Sequence, residues 1–123
     1  VLPKVNAPTA ALYASARILP ILDDITSTGV VAVGVGESEN MKEIKQKYAG
    51  KITLIGNLNG IAMRHWTREE AFSHVKELIR DAGPGGGFIV GDNHGEIPFQ
   101  VSDEVLFAIR DAVMEFGRYP IPV

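Results

Sequence analysis

A parallel α/β fold built from four βα units is what this sequence predicts, and three observations carry the prediction. Four apolar runs, at residues 2–5, 30–35, 52–55 and 88–90, are bounded by glycine or polar turn residues, and each has helical sequence after it. The runs are continuously apolar rather than alternating, which suits strands covered by helices. The segments between them are long enough for helical crossovers, so the strands run parallel with right-handed connections and the polar loops collect at one end of the sheet.

Each element follows from its local pattern. After the expected first strand, the small residues of 10–16 read as a helix that Pro20 divides. The second unit has a glycine turn, Gly34-Val35-Gly36, and then a short helix around Met41, Ile44 and Tyr48, expected to start near Ser38. The third helix is the clearest. Ala71, Phe72, Val75, Leu78, Ile79 and Ala82 share one face, Thr67 and Glu70 have capping-box spacing, and Gly83 stops it. In the fourth, Ser102 is the expected N-cap, Val105, Leu106, Ile109, Val113 and Phe116 form the stripe, and Gly117 ends it.

Composition limits what the chain does. Its 123 residues, 46% hydrophobic, suffice for one domain with a modest core but not for two. Twelve basic against fifteen acidic side chains give a net charge of -3 without a basic stripe, so nucleic acid is not an expected partner. Apolar runs fall far short of the ~20 residues of a membrane span, so no membrane is expected either. The absence of Cys removes disulfides, thiolate metal sites and a cysteine nucleophile, and agrees with a cytoplasmic location. Because the first residue is Val1 rather than Met, the chain is expected to be a piece of a larger protein.

In parallel sheets ligands bind at the carboxyl ends of the strands. Those ends carry Asn6, then Gly36 and Glu37, then Asn57 and Asn59, then Asp92, Asn93, His94, Gly95 and Glu96. A turn needs Asp, Asn and Gly, but not His94 or Glu96, so the last loop is read as chemical rather than merely connective. Gly34-Val35-Gly36 lacks the full dinucleotide fingerprint, since Glu39 stands three residues after Gly36 where a glycine is required; a tight turn is the simpler reading. Gly83-Pro84-Gly85-Gly86-Gly87 precedes its strand and reads as a flexible connection at the opposite end. His74 lies within the third helix and His65 next to Trp66, which leaves His94 as the histidine at a strand's carboxyl end.

Gly56-Asn57-Leu58-Asn59-Gly60, the connection Gly85-Gly86-Gly87-Phe88-Ile89-Val90, and Asn93-His94-Gly95-Glu96-Ile97-Pro98 followed by a closing helix resemble the C-terminal half of the uroporphyrinogen decarboxylase family, which also contains corrinoid-linked methyltransferases. The likeness covers roughly residues 18–119. It implies a (β/α)8 TIM barrel, which needs about 250 residues, so that residues 1–123 make a single half-barrel segment without its N-terminal half. It also implies cofactor-free decarboxylation of a carboxylated tetrapyrrole after protonation of a pyrrole ring. His94 matches the histidine of the family's His-Gly motif in the substrate cleft, as catalytic residue, and Asn57 the asparagine of its Gly-Asn-Leu motif. Asn59, Asp92, Asn93 and Gly95 join Asn57 as expected substrate-binding residues. Asn59 departs from the Asp common in decarboxylases, and the family's N-terminal Arg and Asp motifs lie outside this sequence.

In the methyltransferase branch a corrinoid-linked methyl donor replaces the tetrapyrrole, and His and Cys ligands hold zinc. This chain has no Cys, and Val5-Asn6-Ala7 offers no His-x-Cys. A non-catalytic module that binds a ligand or another copy is the third reading. Whichever holds, a half-barrel is expected to pair with its missing half or as a homodimer, since cut strands leave unpaired edges. No metal is expected at His94, which lacks sulfur partners. Elemental analysis of the purified chain should therefore find well under one zinc per chain; stoichiometric zinc lost on His94→Ala would overturn this.

Overall fold

The computed structural model describes residues 11–14 and 16–122. Four strands, β1 (Ala11–Tyr13), β2 (Ala32–Gly34), β3 (Thr53–Leu58) and β4 (Phe88–Asp92), form one sheet in the order β1-β2-β3-β4, every neighbouring pair parallel. Between and after them lie α1 (Leu22–Ser27), α2 (Met41–Tyr48), α3 (Arg68–Ala82) and α4 (Asp103–Phe116). Sheet order that follows chain order is the arrangement of a barrel wall; a doubly wound sheet would reverse direction at a switch point.

The register separates two faces. Leu12, Val33, Leu54 and Phe88 make one row across all four strands, and Tyr13, Gly34, Ile55 and Ile89 make the next. Val33 and Leu54 are fully buried and belong to the same core as Ile44, Val75 and Ile79 of the helices. In the other row Tyr13 and Ile89 are each 52% exposed, so the helices cover one face of the sheet and the second is open. Along β3 the alternation is strict: Leu54, Gly56 and Leu58 are buried, while Thr53, Ile55 and Asn57 are half-buried.

The first unit differs from its sequence reading. The strand expected at residues 2–5, like Asn6 and the Val5-Asn6-Ala7 segment, lies outside the described residues. Ala11–Tyr13, expected to be helical, is instead β1. Helix propensity separates ordinary residues by at most about 0.7 kcal/mol each, so over three residues the pairing with β2 outweighs it. Pro20 does not divide a helix. It stands at the start of a 3-10 turn, Leu19–Ile21, that leads into α1, where its missing N–H has no partner to lose.

The remaining helices begin and end where side chains satisfy them. α2 is capped by Asn40, whose Oδ1 accepts the Glu43 N–H at 3.2 Å, rather than by Ser38. Thr67 and Glu70 close the capping box of α3, with bonds of 3.1 and 2.9 Å, and Ser102 caps α4 by accepting from the Val105 N–H at 3.4 Å. α3 and α4 pack through the edge-to-face pair Phe72–Phe116, centroids 5.4 Å apart, with an Arg68–Asp111 bridge of 2.9 Å at the surface. On α4 the buried residues are Val105, Ala108 and Ala112; Leu106, expected in the stripe, is exposed because the two small alanines set the contact line against α3. Trp66 stacks on His74 rather than on its sequence neighbour His65, at 4.3 Å between centroids.

No helix of the described residues is long and apolar enough to cross a membrane. Ile44, fully buried on α2, joins helix and sheet in one core. Ile44→Ala should lower unfolding stability by about 2–5 kcal/mol, read as a shift of the denaturant midpoint with an unchanged slope; a shift below about 0.5 kcal/mol would deny it that place.

Candidate functional site

Polar side chains gather where the strands end. β4 runs on to Asp92, two residues beyond its expected end, so Asp92 leaves the sheet already buried and Asn93 follows it, also buried. The Asp92 Oδ1 accepts the Gly95 N–H at 2.6 Å, a bond that closes the turn carrying His94. Its Oδ2 is buried without a hydrogen-bond partner. Gly60 makes this packing possible: a Cβ there would lie 3.3 Å from the Asp92 Oδ2, 3.3 Å from the Asn93 Oδ1 and 3.4 Å from the Pro98 ring.

Two asparagines tie three loops together. The Asn93 Oδ1 accepts the Gly60 N–H at 3.1 Å, joining the β4 loop to the β3 loop, while its Nδ2 donates to the Glu37 carboxylate beyond β2. The Asn57 Nδ2 donates to the Gly36 carbonyl at 2.9 Å and to the Glu39 carbonyl at 3.0 Å. Both of its amide hydrogens are thereby used on the β2–α2 loop. Gly56 sits beside it at φ +129, and a Cβ there would approach the Val35 carbonyl to 2.8 Å, so only glycine allows β2 and β3 this separation. The Asn59 Oδ1 instead accepts the Ile61 and Ala62 N–H groups at 3.1 and 3.0 Å, starting the 3-10 turn Ala62–His65.

His94, Gly95 and Glu96 are exposed. Beside them the ring of Tyr13 lies over Gly34, where a Cβ would meet it at 2.3 Å, and also near Gly95, at 3.7 Å from a Cβ built there. The rim therefore consists of an aromatic ring from β1, the Glu37 carboxylate, the Asp92–Asn93 pair and an accessible imidazole. It offers acceptors, one proton donor or acceptor, and an apolar surface. Among the described residues no group of three or more His, Cys, Asp or Glu side chains is placed to hold a metal ion.

Of the residues expected at the rim from sequence, Asp92 and Gly95 are bonded across the turn that carries His94, Asn93 ties that loop to Gly60 and Glu37, Asn57 is bonded to the β2–α2 loop, and Asn59 is turned to its own loop. Three contributors escaped the sequence reading. Tyr13 was hidden in an alanine-rich stretch; Gly60 was one glycine among thirteen. Glu39 is buried, its carboxylate accepting from the Arg17 Nε and the Leu19 N–H, each at 3.1 Å, so that it pins the segment after β1 to the β2–α2 loop. Only an acidic residue followed by a cap, in an otherwise polar loop, could have hinted at this.

The family model described as uroporphyrinogen decarboxylase (URO-D) matches residues 2–116. The chain belongs to the uroporphyrinogen decarboxylase family. Curated relatives include the uroporphyrinogen decarboxylase of Pseudoalteromonas translucida, 30% identical over 96 residues, and that of Thioalkalivibrio sulfidiphilus, 27% identical over 96 residues; each alignment takes in 78% of this chain and 27% of the relative. A third, from Actinobacillus succinogenes, is 30% identical over 101 residues, 79% of this chain and 27% of the relative. The chain thus spans about a quarter of the length of these relatives. Among solved structures a methyltransferase from Methanosarcina mazei shares the fold, with a TM-score of 0.69 at 23% identity, over 94% of this chain and 33% of that one. The four βα units accordingly have the fold of a stretch of TIM-barrel wall of the URO-D type.

The Asn93 bond, Glu37's own backbone N–H and the nearby His94 hold the Glu37 carboxyl below its ordinary value, the Asn93 bond contributing most and partial burial opposing them. A depressed carboxyl supports the folded loop above its unfolded value, and that support is lost as pH falls through the folded one. The Asn93 side-chain amide resonances should therefore shift as the solution is acidified below the usual glutamate range, and Glu37→Gln should leave them flat. Identical titrations in both proteins would remove Glu37 as the partner.

Proposed function

We propose that this chain forms the C-terminal, substrate-facing half of a uroporphyrinogen decarboxylase-like barrel and that His94 acts there on the substrate. The observation that carries the reading is an exposed imidazole held on a turn whose flanks are both tied, by Asp92 to Gly95 and by Asn93 to Gly60 and Glu37. Family membership supports a tetrapyrrole bearing carboxylates as the substrate class. Its pyrrole ring is protonated, the bond to the departing carboxylate breaks with its electron pair drawn toward the ring, carbon dioxide leaves, a proton takes its place on the exocyclic carbon, and the proton first added to the ring is lost, so that one proton is consumed for each carbon dioxide released. No cofactor is needed for these steps. His94 serves as the orienting donor or acid, and Asn57, Asn59, Asp92, Asn93 and Gly95 shape the substrate-binding rim around it.

In this reading the open face is completed by an N-terminal half, or by a second copy where that half is missing, in the cytoplasm. Groups for the substrate's carboxylates and pyrrole nitrogens come from that other half. The methyltransferase alternative has only the fold in its favour, since the structural likeness stands at 23% identity; a chain without Cys offers no thiolate for a zinc-activated methyl acceptor.

Carbon dioxide release from uroporphyrinogen is the decisive assay. The 123-residue chain alone should not approach ordinary enzyme rates of ~1 per second, because positioning groups from both halves are required. In the complete barrel His94→Gln should lower turnover by about 10² to 10⁴ fold. An exposed loop residue packs little, so stability should change by less than about 0.5 kcal/mol. Normal turnover with a large loss of melting temperature would give His94 a purely structural part.

A further inference from the structure

At the amino end of the sheet, opposite the rim, α2 and the end of α3 enclose a crevice of about 520 Å³ lined by Lys42, Lys45, Gln46, Ala49, Arg80 and Asp81, with Pro84 and Gly85 on its wall. We propose that this crevice is a second site, separate from the rim, that binds a small phosphate oxyanion, either inorganic phosphate or the phosphate of a monoester. Arg80 is bonded to Asp81 at 3.1 Å, which leaves the crevice a surplus of two positive charges, enough to balance a phosphate dianion.

Lys45 makes the site more than a basic surface. It is 91% buried by its 9% exposure, and no acidic side chain lies in ion-pair contact with it among the described residues. Its ammonium donates to the Gly86 carbonyl, and a Cβ on Gly87 would come within 3.9 Å of it. Buried charges are ordinarily paired, and a neutral carbonyl compensates only part of an ammonium. Burial accordingly pulls the Lys45 ammonium below the ordinary lysine range, which an anion nearby would reverse.

Basic residues in a helix's last turn commonly offset its dipole, and that suffices for Lys47 and Arg80, which remain in solvent. It does not account for a lysine side chain packed down to 9% exposure, since an exposed lysine offsets the dipole equally well. The loop fits the same purpose. Gly85, Gly86 and Gly87 all have positive φ, +82, +79 and +69, and at Gly85 and Gly86 an added Cβ would find open space within 4 Å. A bare backbone without side chains therefore borders the crevice, leaving room for an anion in the space that Lys42, Lys45 and Arg80 line.

Titration calorimetry of the 123-residue chain with inorganic phosphate and, separately, methyl phosphate, each against chloride of equal ionic strength, tests the proposal. Saturable binding of either is expected, and which of the two binds more tightly identifies the source of the phosphate. The double variant Lys42→Gln, Arg80→Gln, altered at two solvent-facing side chains, should bind more than about tenfold more weakly, since each replacement removes a charge-assisted hydrogen bond. Its melting temperature without phosphate reports its folding, and Lys42→Gln alone serves should the pair not fold. His94→Gln, at the other end of the sheet, should bind as the parent does. Heat no greater than chloride's from both anions, equal affinity in the Lys42 and Arg80 variants, or loss of binding in His94→Gln would each overturn the site.

Discussion

The alternation of β3 is the constraint on which the rest of this structure depends. A strand has a period of two, so a parallel register that puts Leu54 and Leu58 against the helices must turn Thr53, Ile55 and Asn57 the other way. A slip of one residue would exchange the two sets. Apolar burial on one side thus determines which polar groups look across the open face, and Asn57 reaches the β2–α2 loop only because Leu58 is buried next to it.

The same row order places the rim. Tyr13, Gly34, Ile55 and Ile89 lie side by side across four strands, and the loops that follow β2, β3 and β4 all begin within a few residues of that line. Glycines at Gly34, Gly56 and Gly60 let a ring, a neighbouring strand and a buried carboxylate come close where any side chain would collide. The rim is held by directional bonds rather than by packing. Asn93 reaches Gly60 and Glu37, and Asn57 reaches Gly36 and Glu39, so three loops are tied to one another while His94 remains exposed. Such an arrangement keeps the imidazole accessible and limits the freedom of the turn that carries it, as the role proposed for His94 requires.

The two ends of the sheet differ in kind. At the carboxyl end the amide and acidic groups of Asn57, Asn93, Asp92 and Glu37 are bonded to one another and to backbone, with the Asp92 Oδ2 left buried and unpartnered. At the amino end the charges are chiefly cationic, one of them buried without a counter-ion, and the loop next to them is bare glycine. A parallel sheet separates these chemistries by its own length, so a ligand at one end need not disturb the other. The open face between them, with Tyr13 and Ile89 half in solvent, is the surface that the remainder of a barrel would cover.

The sequence by itself determined the α/β class, three of the four strands, the caps of α3 and α4, and the rim position of Asp92, Asn93 and His94. These rest on local signals: apolar runs, the spacing of Thr67 and Glu70, glycine stops, and the rule that ligand loops follow strand ends. Family resemblance read from Gly56 to Gly60 and from Asn93 to Pro98 was likewise legible, since those residues are contiguous. Only the tertiary structure decided that Ala11–Tyr13 is a strand, because its stabilising partner, β2, is about twenty residues away. It also decided that Asn40 rather than Ser38 caps α2, that Asn59 serves its own turn, and that Glu37 meets Asn93. Glu39, Gly60, Tyr13 and Lys45 carry no local mark of their parts. Each acts through a residue that chain order places far off, and the pairing exists only when the register of the sheet and the packing of α2 and α3 bring the two together.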